Sequence, residues 1–142
     1  MGCNFLDLFA GSGSIGIEAL SRGAAGVVFV EVNGRNLHII RNNLCVTGFA
    51  GLARLIRGEV TAVLSRLGSE NDLFDIIFLD PPYLKDYETD TLAGIARHRL
   101  LQADGIVVVE SSKNRGLPRN IDELVMFRQE KYGDTLLSFY RY

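Results

Sequence analysis

Residues 80–83 read Asp-Pro-Pro-Tyr, directly behind the apolar run Phe74-Asp75-Ile76-Ile77-Phe78-Leu79. The two prolines end a strand, because neither can donate a ladder hydrogen bond. They leave unexplained the acid in front of them and the aromatic ring behind. The Asp80 carboxylate and the Pro81 carbonyl are two acceptors, and the rigid Pro81-Pro82 pair fixes where they point. Aimed at the two hydrogens of a planar amino group, such acceptors would draw the nitrogen lone pair out of its ring and make it nucleophilic. Polar groups fixed at a reacting centre are a main source of catalytic power. Tyr83 supplies a face for a base to stack on, worth about 1–3 kcal/mol. A base held in a helix would have to be flipped out to reach it.

A second constellation lies at the other end of the chain. Gly11, Gly13 and Gly16 match G-x-G-x-x-G, and Glu31 follows Gly11 by 20 residues at the end of the next apolar run. Glycines let a backbone turn sharply against a ligand, and an acid after the second strand can hold both hydroxyls of a ribose. NAD and S-adenosylmethionine (SAM) share both needs. Asp7, four residues before Gly11, separates them. A carboxylate there would repel a pyrophosphate but attract the α-ammonium of a methionine moiety; a solvated or capping acid is the other reading. Glu59-Val60 follows the third run, where the acid could accept from an adenine amino group and Val60 could pack on the ring. A helix dipole alone would also favour a carboxylate at Glu59.

These residues need a frame. Phe5–Ala10, Val27–Val30, Ala53–Arg57, Phe74–Leu79 and Gly105–Glu110 read as five strands. Between them lie segments of helical spacing: Ile15, Ala19 and Leu20 before Gly23; Leu37, Ile40 and Leu44 before Gly48; Val60, Val63, Leu64 and Leu67; and Leu92, Ile95 and Ala96. Leu124–Phe127 and Leu136–Tyr140 then flank a Gly-containing connection, the pattern of a β-hairpin. Strand–helix alternation with strands apolar on both faces predicts a mostly parallel sheet covered by helices on both sides, closed by the hairpin. Its ligands would lie beyond the carboxyl ends of the strands.

The totals describe one ordinary globular domain, residues 1–142, with 47% hydrophobic and 23% charged residues. A formal net charge of −2 shows no nucleic-acid footprint in the sum, although a local patch would vanish in it. Cys3 and Cys45 are too few for a disulfide framework and lack metal-ligand spacing, which suits a reducing, cytoplasmic setting. His38 and His98 have no metal or nucleophile partner at useful spacing, and no metal is expected. Apolar runs are strand-length, so no membrane span is expected.

Taken with Asp7-x-Phe9-x-Gly11-Ser12-Gly13, the tetrapeptide at 80–83 resembles the class I SAM-dependent amino-methyltransferases. FLDLFAGSGSIGIEALSRGA (5–24), FDIIFLDPPY (74–83), GIVVVESS (105–112) and KYGDTLLSFYRY (131–142) are similar to the RsmD family, bacterial enzymes that methylate N2 of a guanine in 16S ribosomal RNA. The resemblance implies a Rossmann-like sheet of seven strands, the last antiparallel. It implies that Asp7, Gly11, Ser12, Gly13, Glu31, Val32, Glu59 and Val60 hold SAM, and that Asp80, Pro81, Pro82 and Tyr83 hold the guanine. Transfer would be direct and in line. Family members usually carry Asp at the position of Glu59. They also carry a few dozen residues upstream, with a basic β-hairpin and a helix over the SAM site, so an amino-terminal RNA-contacting segment is expected to be missing here.

The expected partner is ribosomal RNA, within an assembling small subunit. Lys85, Lys113, Arg115 and Arg119 lie on the predicted ligand face and could touch its phosphates, or could simply be solvated. Two other functions stay open. An NAD(P)-dependent oxidoreductase follows from the glycine pattern but leaves Asp80–Tyr83 unused. A non-catalytic SAM- or RNA-binding module follows from the missing segment.

Overall fold

A computed structural model describes residues 2–82 and 86–142. The chain runs β1 (Asn4–Leu8), α1 (Ser14–Ser21), β2 (Gly26–Glu31), α2 (Gly34–Thr47), a 3₁₀ turn (Ala50–Leu52), β3 (Ala53–Arg57), α3 (Val60–Ser69), β4 (Phe74–Leu79), α4 (Tyr87–Arg97), β5 (Leu101–Ser112), β6 (Asn120–Ile121), β7 (Leu124–Tyr132) and β8 (Thr135–Arg141). One sheet has the order β3-β2-β1-β4-β5-β8-β7-β6. β1 to β5 are parallel, and β8, β7 and β6 join antiparallel. From β1 the chain first winds outward to β3, then returns to place β4 on the other side of β1. The gap between the ends of β1 and β4 is therefore the topological switch point, where open α/β sheets bind ligands.

The helices form where the apolar spacing places them. In α3, Val60, Val63, Leu64 and Leu67 are all buried, each contributing about 1.5–3 kcal/mol. They pack with α4 residues Leu92 and Ile95 on the sheet face that carries Leu6, Leu8, Ile77 and Val107. The opposite face carries Phe5, Val27, Phe29 and Phe78 against Leu20 of α1 and Leu37, Ile40 and Leu44 of α2. Strand alternation divides these two cores, and it places Asp7 and Asp80 on the α1 side with Phe5 and Phe78. Asn33 caps α2, its side chain accepting from the N–H groups of Arg35 (2.9 Å) and Asn36 (3.1 Å). Gly48 ends that helix in the left-handed region, φ 80°.

The seven anticipated strands are present, with two differences. β5 begins at Leu101 rather than near Gly105, because its pairing with β4 skips between Phe74 and Ile76. Gly105 lies at this irregularity, where a Cβ would come within 2.6 Å of Leu101 and 3.0 Å of the Asp75 carbonyl. β6 is an eighth strand of two residues on the edge, too short to show any periodicity. The hairpin turns at Gly133-Asp134, with Gly133 at φ 59°. Among the described residues, no helix is long and apolar enough to cross a membrane.

Candidate active site at the strand ends

The loop after β1 is held by its glycines and by two acids. Phe9 leaves the strand at φ 60°, an uncommon conformation for a residue with a side chain. The turn is fixed by Ala10 N–H donating to the Val30 carbonyl (3.1 Å) and by Gly13 N–H donating to the Ala10 carbonyl (2.8 Å). Gly11 and Gly13 both take positive φ, 58° and 81°. Gly16 serves packing instead. A Cβ there would fall 2.3 Å from the Phe29 ring, so glycine is what lets α1 lie close on β2.

The N-cap position of α1 is Gly13, which has no side chain to cap the helix. Asp7 supplies the missing acceptor from the neighbouring strand: its Oδ2 takes the Gly16 N–H at 3.1 Å. Asp7 is only 2% exposed. Burial pushes its carboxyl up to about 7 against the lowering effect of the Gly16 bond, and the negative charges of Asp80 and Glu31 push the same way as burial. The capping reading of Asp7 is thus realised, and the carboxyl also lies within electrostatic reach of the other strand-end acids.

Glu31 is buried too, and each of its oxygens accepts a backbone N–H: Gly11 to Oε1 at 2.9 Å and Asn33 to Oε2 at 2.8 Å. The end of β2 is thereby tied both to the glycine loop and to the start of α2. Each carboxylate oxygen keeps a further acceptor site beyond these bonds, and Glu31 lines a cavity.

That cavity, about 240 Å³, is lined by Phe9, Val30, Glu31, Val32, Asn36, Gly58, Glu59, Val60, Asp80 and Pro82. It gathers six of the anticipated residues: Glu31, Val32, Glu59, Val60, Asp80 and Pro82. Glu59 is the N-cap residue of α3 but makes no side-chain capping bond, so its carboxylate is not committed to the helix. Val60 is shared between the cavity wall and the core. Ser12 and Gly13 stay in the loop behind, where Asn43 Nδ2 donates to the Ser12 carbonyl at 3.2 Å. Pro81 is buried beside Asp80. Tyr83 and Lys85 lie outside the described residues. A larger hollow of about 410 Å³, lined by Asn4, Gly26, Ala53 and Phe74 among others, sits at the opposite end of the strands, away from the converging acids.

Asp80 reaches solvent at the cavity mouth, yet its carboxyl is pushed up to about 6, by partial desolvation and by a hydrogen-bonded neighbour, Glu110. β4 and β5 run in parallel register with Leu79 beside Val109, which sets Asp80 next to Glu110. Sequence reasoning missed Glu110, because only strand pairing brings it to the site. It also missed Asn36 and Gly58, which line the cavity without any motif to mark them. Phe9 was visible as a motif letter but not as a wall; its ring packs on Tyr87, the first residue of α4, with centroids 5.8 Å apart.

The basic residues divide. Lys113 pairs with Asp134 at 2.9 Å, and Lys113, Arg115 and Arg119 line a separate surface hollow with Gln129. Arg115 is turned inward. Its Nε donates to Glu88 Oε2 at 2.9 Å, and a second nitrogen lies 4.0 Å from Asp86. The Glu88 side chain is 4% exposed, so this pair ties the start of α4 to the loop after β5. Among the described residues, no group of three or more His, Cys, Asp or Glu could hold a metal ion.

The geometry therefore offers a cavity at the switch point, walled by Phe9, Val32 and Val60 and edged by carboxylates at the ends of β2 and β4 and the start of α3, with Asp7 of β1 buried within electrostatic reach of Glu31 and Asp80. Such a site suits a ligand with an apolar ring and positive charge, and it opposes a pyrophosphate. A family profile described as conserved hypothetical protein 95 matches residues 1–141. The Bacillus subtilis (strain 168) protein YlbH is 36% identical over 136 residues, covering 96% of this chain and 74% of that one. The ribosomal RNA small subunit methyltransferase D of Escherichia coli (strain K12) is 31% identical over 136 residues, covering 96% of this chain and 67% of its own length. Among solved structures, a conserved hypothetical protein of Streptococcus pyogenes matches with a TM-score of 0.90 at 36% identity, over 98% of this chain and 85% of that one. By the extent of these matches the chain belongs to the conserved hypothetical protein 95 family, the RsmD family that its motifs resemble.

Proposed function

We propose that this chain is a SAM-dependent methyltransferase acting on ribosomal RNA, and that its target atom is the exocyclic N2 of a guanine. The observation that carries the reading is the convergence of Asp7, Glu31 and Asp80 at the switch point, close enough for Asp80 and Glu31 to raise Asp7. Uncompensated carboxylates gathered in one site favour a cationic ligand. SAM is cationic at both its sulfonium and its α-ammonium, whereas a dinucleotide would bring a pyrophosphate against the same acids. The relatedness to the E. coli ribosomal RNA methyltransferase supports the RNA substrate.

Bound there, SAM supplies an electrophilic methyl carbon on its sulfonium. Each protein residue then has a defined task. Glu31 orients the ribose through lone pairs its backbone bonds leave free, while Val60 and Val32 flank the adenine and Glu59 accepts from its amino group. Asp7 faces the ammonium while capping α1. Asp80 and the Pro81 carbonyl accept the two hydrogens of the guanine amino group, which turns the nitrogen lone pair out of conjugation. Pro82 sets their direction and Tyr83 stacks on the flipped base. Lys113 and Arg119 meet RNA phosphates in their separate surface hollow, and Lys85 is assigned the same task. Arg115 contributes by holding α4 in place.

The test is Asp80→Ala, followed by SAM titration and by transfer of labelled methyl to 16S rRNA. Transfer should fall at least about 100-fold, the loss typical of removing one group that acts on the transition state, well beyond any loss of SAM affinity. Turnover near the wild-type rate would remove Asp80 from its assigned role.

A further inference from the structure

We infer that Glu110 is a positioning residue for methyl transfer: it holds the Asp80 carboxyl as one half of a carboxyl pair that takes up the proton released from the substrate nitrogen. The inference rests on the reading of Asp80 just given. Its basis is geometric. Leu79 pairs with Val109 in parallel register, so Asp80 and Glu110 are the next neighbours across β4 and β5. Strand alternation puts Glu110 on the same sheet face as Val108 and Phe78, which is the face of Asp80. Glu110 is close enough to push the Asp80 carboxyl up, both by its charge and by hydrogen bonding to it. Two carboxyl groups can share such a bond only when a proton lies between them, and otherwise each opposes the other's ionisation.

Among the described residues, every charged group that lines the cavity is an acid, so none of them supplies a counter-charge to the pair. Asp80 faces Asp7 from β1, Glu31 from β2, Glu59 from the start of α3 and Glu110 from β5, all acids. Among the described residues, two cations of the loop after β5 are engaged elsewhere: Lys113 with Asp134 and Arg115 with Glu88 and Asp86. Burial first, and Glu110 second, push Asp80 up to about 6, so at pH 8 the Asp80 carboxylate is ionised and ready to take a proton.

The chemistry requires such an acceptor. When N2 bonds to the methyl carbon, the carbon–sulfur bond breaks and its electron pair stays on sulfur. The nitrogen then carries a positive charge and two hydrogens. One proton passes to Asp80, where Glu110 shares it, leaving a neutral secondary amine; the pair returns the proton to solvent at the exposed cavity mouth. A lone aspartate of ordinary acidity would be a weaker base for this proton, and Glu110 makes it stronger.

The experiment is Glu110→Gln, a nearly isosteric change that removes one charge. It is read by carboxyl NMR titration of Asp80 in ¹³C-aspartate-labelled protein and by the pH dependence of kcat with labelled SAM and 16S rRNA. The inference predicts that the Asp80 titration moves down by at least one pH unit, that the acid limb of kcat moves with it, and that kcat at pH 8 falls about tenfold. SAM affinity should stay within twofold, which also shows that the variant folds. An Asp80 titration that does not move, or a fall in kcat with an unmoved acid limb, would overturn the inference and leave Glu110 a structural residue. Failure of the underlying reading looks different: Asp80→Ala would then retain turnover, whatever Glu110→Gln does.

Discussion

Replacing Asp7 by asparagine should separate stability from cofactor binding. Asp7 is 2% exposed, and its carboxyl is pushed from an ordinary 3.8 up to about 7, chiefly by burial. The neutral form is therefore the one the fold prefers. A native proton affinity raised above the unfolded one stabilises fully below about pH 4 and is lost as pH rises to 7. Three units at about 1.4 kcal/mol each give an upper bound of about 4 kcal/mol for the ionised, buried carboxylate at pH 8. Local relaxation and water entry commonly halve such penalties, so about 2 kcal/mol is the working figure. Asparagine keeps an oxygen for the Gly16 N–H and carries no charge. Its stability relative to wild type should therefore rise by about 2 kcal/mol between pH 4.5 and pH 8. Urea denaturation of both proteins at the two pH values measures this directly, provided the m-values agree. At pH 8 the same variant should bind SAM more weakly, having lost the charge that faces the ammonium. A stability difference independent of pH would refute the argument, since it would mean that Asp7 is not held in a charge-hostile place.

Four further outcomes follow from the same geometry. Wild-type SAM affinity should increase as pH is raised from 6 to 8, because the ammonium prefers ionised Asp7; calorimetric titration across that range reads it, and a flat profile counts against the contact. Gly16→Ala should lower stability by about 1–3 kcal/mol through overpacking against Phe29, while Gly51→Ala, with open space around it, should stay within about 0.5 kcal/mol in thermal melts. Glu31→Gln presents an amide nitrogen to one of two N–H donors, at Gly11 or Asn33, so SAM affinity should fall about tenfold with a loss of about 1 kcal/mol in stability. Arg115→Ala leaves Glu88 buried without this partner and should cost about 2 kcal/mol, less than a fully buried pair because Arg115 is 28% exposed; Lys113→Ala should leave stability unchanged and reduce the salt dependence of RNA binding by about one counterion.

Local signals made much of this molecule legible. Period and punctuation located all four helices, as with Val60, Val63, Leu64 and Leu67 in α3 and Gly48 after α2. Gly11, Gly13 and Gly16 were recognisable as a set, but their separate duties were not: the first two serve the turn, and the third serves the contact with Phe29. What stayed hidden depends on pairing or on depth. Glu110 joins Asp80 only through the β4–β5 register. β5 begins early because of an irregularity that a hydrophobic pattern cannot display, and β6 is two residues long. Arg115 has the composition of a phosphate contact, yet a buried acid 27 residues away claims it. The fate of Asp7 was equally undecidable from spacing, since a capping acid and a ligand-facing acid occupy the same position in the chain.

The most direct measurement of the central claim is product analysis. The chain is incubated with methyl-labelled SAM and 16S rRNA that has never been methylated, and the RNA is digested to nucleosides for liquid chromatography and mass spectrometry. The account predicts label in N2-methylguanosine, absent when Asp80→Ala replaces the wild type. Label in another nucleoside would contradict the assignment of N2, and the absence of any labelled nucleoside would contradict the assignment of RNA methyl transfer itself.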